Sequence, residues 1–350
     1  MGKLKKLTGY RLFLPLSCLI IVLLINLITT PTFFRITINN GVLYGYIIDV
    51  INRASELVVL AVGMTLVVSA SAGTDISVGA VMAVAAAVCT RVLAGGEVSV
   101  NEYANPYVLA VLAALAAAVV CGGFNGFLVA KLKIQPMVAT LILFTAGRGI
   151  SQLVTNGQIT YIRVDGYKLL GNNIPGIPIP TPIFVAVIVV ALTYILLKKT
   201  AMGMYIQSVG INERASRLVG LKSVKIIWMA YAFCGLCAGI AGLVASSRIY
   251  SADANNIGLN MELDAIAAVA LGGNSLGGGR FSLLGSVIGA YTIQALTTTL
   301  YAMSVPADQI PVYKAIVVIL IVAVQSEELK KFRKRLASRH SSKNVEGGVA

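Results

Sequence analysis

Histidine is almost absent from the 350-residue chain. The single one, His340, stands in a basic carboxy-terminal stretch. That scarcity removes zinc chemistry of the H-E-x-x-H kind. It also leaves no base to activate a serine, so Gly273-Asn-Ser-Leu-Gly277, which matches the G-x-S-x-G pattern, is no hydrolase elbow. No G-x-x-x-x-G-K-[ST] occurs, so ATP hydrolysis is not expected of this chain, nor is a bound metal. Tryptophan is equally scarce, with one residue. The net charge of +14 lies in short blocks with no basic stripe, which argues against nucleic acid. The five cysteines all fall inside apolar runs, so disulfides are not expected; Cys234 and Cys237 form a C-x-x-C without the flanking pattern of a redox motif and suit close packing instead.

What the chain has in abundance is apolar length. It is 57% hydrophobic and 12% charged, with a mean hydropathy of +0.85, too little polar surface for a soluble globule. The pattern predicts an all-α, polytopic membrane bundle of about ten transmembrane helices, some broken or re-entrant, at 12–29, 57–72, 76–93, 106–130, 136–154, 182–197, 226–246, 263–276, 281–300 and 310–324. Of the 28 Lys and Arg, 19 lie in residues 1–11, at Lys131 and Lys133, between Lys198 and Lys225, or in the tail from Lys330. Lys- and Arg-rich loops stay in the cytoplasm, so these segments and both termini are expected inside, in accord with an even helix count. The first run follows a basic start but no small-residue cleavage site, and is expected to be a retained anchor. Residues 1–330 form a single transmembrane domain and 331–350 a basic cytoplasmic tail. The stretch 30–55 suits a segment lying along the outer interface, and 156–180, rich in Gly and Pro, is expected to have little regular structure.

The candidate site lies where apolar runs are interrupted. Glu262 and Asp264 lead into a run that stops in a cluster of glycines well short of a span; such a helix is tolerated only where protein or a water-filled cavity replaces lipid. The break Gly73-Thr-Asp-Ile-Ser-Val-Gly79 weakly echoes Gly278-Gly-Arg-Phe-Ser-Leu-Leu-Gly285, as broken helices from two repeats would, although Ala-, Val- and Gly-rich helices also generate such echoes by chance. Asp75 can line a path or cap the helix beginning near residue 76. Glu262 and Asp264 can contact substrate or sit at a rim, paired with Arg248. Ser77, Asn125, Asn274 and Ser275 complete the substrate-path candidates. In the longest basic loop, Asn212 can cap a short helix, Glu213 favours its first turn, and Gly220 ends it. With Arg214, Ala215 and Ser216 this is either a docking element for a soluble partner or a solvated connector. Gly235 with Gly239, and Gly285 with Gly289, allow close helix packing within one bundle or between two chains.

These segments together resemble the membrane permeases of sugar ABC importers of the ribose, xylose and galactofuranose type. The resemblance runs from about Tyr10 to Gln325 and is carried by 73–79, close to the family's GGIDLSVG; by 125–136 with Ala139-Thr-Leu141 and Gly147-Arg-Gly149; by the 210–220 loop; and by 262–268 with Gly272-Gly273 and Gly277-Gly278. Residues 253–264 and 41–53 are most similar to galactofuranose permeases. Thr74 and Ile76 depart from the usual Ile and Leu, and Met137 from the common Phe, changes that bear on which sugar passes. The resemblance implies a pore subunit in the bacterial inner membrane, paired with a second permease copy or a related one. It also implies a cytoplasmic ATPase that binds ATP and Mg, docked on the 212–220 helix, and an extracytoplasmic sugar-binding protein. A secondary carrier coupling sugar to an ion through Asp75 or Asp264 is the competing expectation.

Overall fold

The computed structural model describes residues 12–39 and 41–325; the basic segments 1–11 and 331–350 lie outside them. Among the described residues the helices are α1 (Phe13–Thr29), α2 (Tyr46–Ser71), α3 (Val78–Ala94), α4 (Tyr107–Ala130), α5 (Pro136–Val154), α6 (Thr181–Lys199), α7 (Met202–Ile211), α8 (Glu213–Leu218), α9 (Ser223–Ile249), α10 (Met261–Leu271), α11 (Leu283–Ala302) and α12 (Ile310–Gln325). Six of them, α2, α4, α5, α6, α9 and α11, are long and apolar enough to cross a membrane, and α1, α3 and α12 are shorter apolar helices.

All ten expected runs are helical, but their limits shift for identifiable reasons. α2 starts at Tyr46 rather than at 57, and two polar residues of the added stretch are paired: Arg248 bonds Glu56 (Nη2 to Oε1, 3.0 Å) and the Asn52 carbonyl. The stretch 30–55 therefore does not simply lie along an interface. It forms a 3-10 turn at Pro31–Phe34, a hairpin of β1 (Thr37–Asn39) and β2 (Val42–Tyr44), and the start of α2. The 156–180 loop is also more regular than expected. It supplies β4 (Thr160–Ile162), parallel to β3 (Ser99–Val100) and antiparallel to β5 (Ser251–Ala252), and a 3-10 turn at Tyr167–Leu170. This small sheet ties the ends of α3, α5 and α9 together opposite the end that carries Lys131, Lys133, Lys198, Lys199, Lys222 and Lys225, the basic end.

Burial orders the bundle. From Leu57 to Ala70 every residue of α2 is buried, so it is the central post, whereas α6 exposes Val187, Ile188, Leu192, Ile195 and Leu196 and α12 exposes Val312, Ile316, Ile319 and Leu320, as helices facing lipid do. α9 crosses α4 through glycines: a Cβ on Gly122 would lie 2.4 Å from the Tyr231 carbonyl oxygen, and one on Gly235 2.4 Å from that of Ala118. Only bare backbone allows that approach, the packing that small residues provide in membranes. At the basic end three backbones converge in the same way. The Gly279 N–H donates to the Ser69 carbonyl (3.0 Å), and a Cβ on Gly210 at the end of α7 would lie 1.7 Å from that oxygen and 2.7 Å from Gly279 N.

Candidate functional site: two helix starts meeting inside the bundle

α3 and α10 begin inside the bundle and run in opposite directions, α3 toward the sheet and α10 toward the basic end. Their amino termini meet. A Cβ added to Gly79 would lie 2.1 Å from Glu262 Oε2 and 2.2 Å from the Gly258 carbonyl oxygen. Two positive helix ends thus converge, each with a buried carboxylate, Asp75 just before α3 and Glu262 in the first turn of α10.

Asp75 is engaged through one of its two oxygens. Its Oδ1 accepts from the Ser77 N–H (2.9 Å), the Ser77 hydroxyl (2.7 Å) and Asn125 Nδ2 (3.4 Å), while Asn125 Nδ2 also donates to Ser77 Oγ (2.8 Å). The carboxylate therefore caps the segment from which α3 starts, with Ser77 as the N-cap residue. The expected candidates Asp75, Ser77 and Asn125 come together as one buried knot.

Glu262 differs. It is 3% exposed, and its Oε2 has no hydrogen-bond partner among the described residues. Facing this region from α5 is Arg148, whose Nη1 donates to the carbonyls of Ala254 (3.0 Å) and Ile257 and whose buried Nη2 is also unpartnered among the described residues. Glu262 and Asp253 are the carboxylates that act on its charge. Residues 253–260 follow β5 and fold back into the bundle, where Gly258 rests on Gly79 and Met82; Gln152 fastens them to α5 by donating to Asn255 Oδ1 (2.6 Å). Around this seam Thr145, Gly149, Gln152, Asn255, Asn256 and Asn260 are exposed on the bundle's flank.

The remaining candidates separate. Asp264 bonds Lys314 of α12 through both oxygens, 2.9 and 2.6 Å. Neither it nor Glu262 meets Arg248, which lies with Glu56 on α2; the pairing expected from sequence is corrected, since α2 carries an acid to Arg248 from 192 positions away. Asn274 is buried and clips the 272–279 break shut: its Nδ2 donates to the Val269 carbonyl (3.1 Å) and Ser286 Oγ (2.7 Å), and its Oδ1 accepts from Ser282 N (2.6 Å). Ser275 is exposed, with its Oγ accepting from Gly277 N (3.2 Å). α10 stops at Leu271, earlier than the expected 276, and left-handed backbone at Gly273, Gly278 and Gly279 carries the turn.

At the basic end Asn212 caps α8 by accepting from the Ala215 N–H (2.9 Å). Glu213 receives Lys133, Arg217 and Ser223. Burial opposes its charge, but these three donors outweigh it and hold the carboxyl below its ordinary range. Arg214 and Ala215 are exposed, Ser216 is buried, and Gly220 ends the turn at φ +87°. Beyond them Leu218 and Val219 are 89% and 77% exposed. Arg148 and Lys314 were not among the residues picked from sequence. Each is an ionisable group inside an apolar run, which is itself the signal for a working position.

A multi-helix membrane bundle whose broken helices meet at buried carboxylates is the architecture of a transport protein. The chain belongs to the family described as the branched-chain amino acid transport system / permease component, which matches residues 46–325. It is 44% identical over 324 residues to the galactofuranose transporter permease protein YtfT of Escherichia coli K12, with 93% of this chain and 92% of that protein covered. It is 37% identical over 355 residues to the fructose import permease protein FruF of Bifidobacterium longum NCC 2705, covering 99% and 96%. It is 35% identical over 318 residues to the ribose import permease protein RbsC of Escherichia coli K12, covering 89% and 93%. No solved structure matches the chain. The protein is a multi-pass permease subunit of an ABC importer and not itself an enzyme; the ion-coupled carrier falls away.

Proposed function

We propose that this permease forms the passage for a monosaccharide, galactofuranose or a related pentose or hexose, and that the path runs along the seam between α5, residues 253–260 and α10. The observation that carries this is the exposed polar flank at Thr145, Gln152, Asn255, Asn256 and Asn260 beside two unpartnered buried groups, Glu262 Oε2 and Arg148 Nη2. Amide and hydroxyl groups inside a membrane span are costly against lipid, so this flank faces water and a second permease, identical or related. Asp75, Ser77, Asn125 and Asn274 support the path from behind, and Glu262, Asp264 and Ser275 stand nearer to it.

A cytoplasmic ATPase, holding ATP and Mg, docks at the basic end on α8 through Asn212, Glu213, Arg214, Ala215, Ser216 and Gly220. An extracytoplasmic sugar-binding protein delivers the substrate at the sheet end. The chain lies in the bacterial inner membrane with both termini and the 331–350 tail in the cytoplasm, and residues 1–330 act as one domain. ATP closing the ATPase pair favours one arrangement of the permeases and hydrolysis releases it, so access alternates. The test is uptake of radiolabelled galactofuranose and of ribose into proteoliposomes with ATP inside and the binding protein outside. Uptake that requires ATP and both partners supports the assignment, and reversing the charges of Glu213 and Arg214 should abolish substrate-stimulated ATP hydrolysis while the permease stays folded. Equal stimulation in that variant would remove α8 as the docking element.

A further inference from the structure

At the basic end, below the glycine crossing, α4 and α9 enclose a groove of about 350 Å³. Its floor is apolar, formed by Gly126, Phe127 and the ring of Trp228, the chain's only tryptophan. Its rim carries Lys131, Lys222 and Lys225. None of these three lysines takes part in an ion pair among the described residues, where the pairs are made instead by Lys133, Lys168, Arg217, Arg248 and Lys314. Lys131 lies over the Phe127 ring at 5.9 Å, and Trp228 is 42% exposed.

Three unpaired cations around an apolar slot, at the level where two spanning helices leave the membrane, match one occupant in charge and shape. We propose that the α4–α9 groove binds an anionic phospholipid, with the headgroup phosphate held among Lys131, Lys222 and Lys225 and an acyl chain laid along Phe127 and Trp228. Basic pockets between membrane helices on the positively charged side are where anionic headgroups settle, and Trp and Phe suit the headgroup boundary. A soluble partner offers acidic side chains but nothing to fill a slot that opens between lipid-facing helix surfaces. The groove lies apart from the proposed seam between α5, residues 253–260 and α10, although α4 also carries Asn125.

Trp228 reports on its own groove. With full-length permease in mixed micelles, quenching of its fluorescence by phosphatidylglycerol with brominated acyl chains is compared with quenching by brominated phosphatidylcholine. The expected result is at least a fivefold preference for phosphatidylglycerol, about the factor of one fully engaged lysine. The preference should fall to near one in K131Q/K222Q/K225Q. Val224→Phe, which fills the slot and keeps every charge, should cut quenching by both lipids. K198Q/K199Q, which removes two basic-end lysines outside the groove, should leave the preference intact. A wild-type ratio near one would overturn the proposal, as would an unchanged ratio in the triple variant or an equal loss in K198Q/K199Q. So would loss of the preference when the ATPase is assembled on the permease, since the face would then belong to a protein surface. If the triple variant does not fold, the single variants K222Q and K225Q decide by the same ratio, each expected to lower it and neither permitted to leave it unchanged.

Discussion

The starts of α3 and α10 place the same ingredients, a helix amino terminus and a buried carboxylate, in opposite conditions. Asp75 accepts three hydrogen bonds and closes a knot with Ser77 and Asn125. Glu262, on the other side of Gly79, leaves Oε2 unpartnered beside an Arg148 with a donor to spare. A buried acceptor in use holds a fold together; one left open costs free energy unless something arrives to meet it. Asp75 Oδ1 thus helps hold the start of α3 in place, whereas Glu262 Oε2, like Arg148 Nη2 and Asn125 Oδ1, is a buried polar atom without a partner among the described residues; a role for Glu262 in exchange follows from the proposed path.

The sharpest way to break this comparison is to push the two starts apart. Gly79→Val would drive a side chain into Glu262 and the Gly258 carbonyl, and is expected to destabilise the bundle by about 3 kcal/mol or more and abolish uptake. Thermal unfolding in detergent checks the first effect, and a native melting profile would show that the two starts do not press on each other.

Next comes the contrast itself. Asp75→Ala strands the Ser77 and Asn125 donors and should cost about 3 kcal/mol of stability. Glu262→Gln should change the melting profile by less than about 1 kcal/mol yet lower uptake strongly, with ATP hydrolysis in the absence of sugar unaltered. Equal effects of the two on stability would erase the distinction between them.

Asp264 belongs to neither case, since Lys314 satisfies both its oxygens. Asp264→Asn should cost about 1–2 kcal/mol, because the pair is only partly shielded from solvent, and adding Lys314→Gln should recover part of the loss by removing the stranded cation. A double variant weaker than the sum of its parts would contradict that pairing.

The smallest effect is expected at the half-buried carboxylate of α8, Glu213. Glu213→Gln should cost about 0.5 kcal/mol near neutral pH. The carboxyl is held below its ordinary range in the folded chain, so its contribution is present above the unfolded-state titration and fades as pH falls through the folded one. Wild type and variant should therefore converge in acid, and a difference that grows on acidification would reverse the sign.

Much of this was legible in the sequence because it is local. The apolar runs, the glycine-rich stop after α10 and the Asn212 cap of α8 depend on neighbours a few residues apart, and the helices formed where those signals stand. What escaped depends on distance along the chain. Arg248 has acids nearby in sequence but bonds Glu56. Asp253-Ala-Asn-Asn has the composition of an external loop, yet Arg148 on α5 draws its carbonyls inward. Asn274 interrupts an apolar run, and the composition of that run does not say that its amide closes the break through Val269, Ser282 and Ser286.

The convergence of Ser69, Gly210 and Gly279 has a mechanical consequence. At the contact itself backbone meets backbone, with no side chain between Ser69, Gly210 and Gly279, while Ile211 packs against Gly279 beside it. If α8 is the docking element, a push on α7 and α8 would reach the 272–279 break through this contact of bare backbone. Even a methyl at position 210 would act as a shim, meeting the Ser69 carbonyl and forcing these backbones apart.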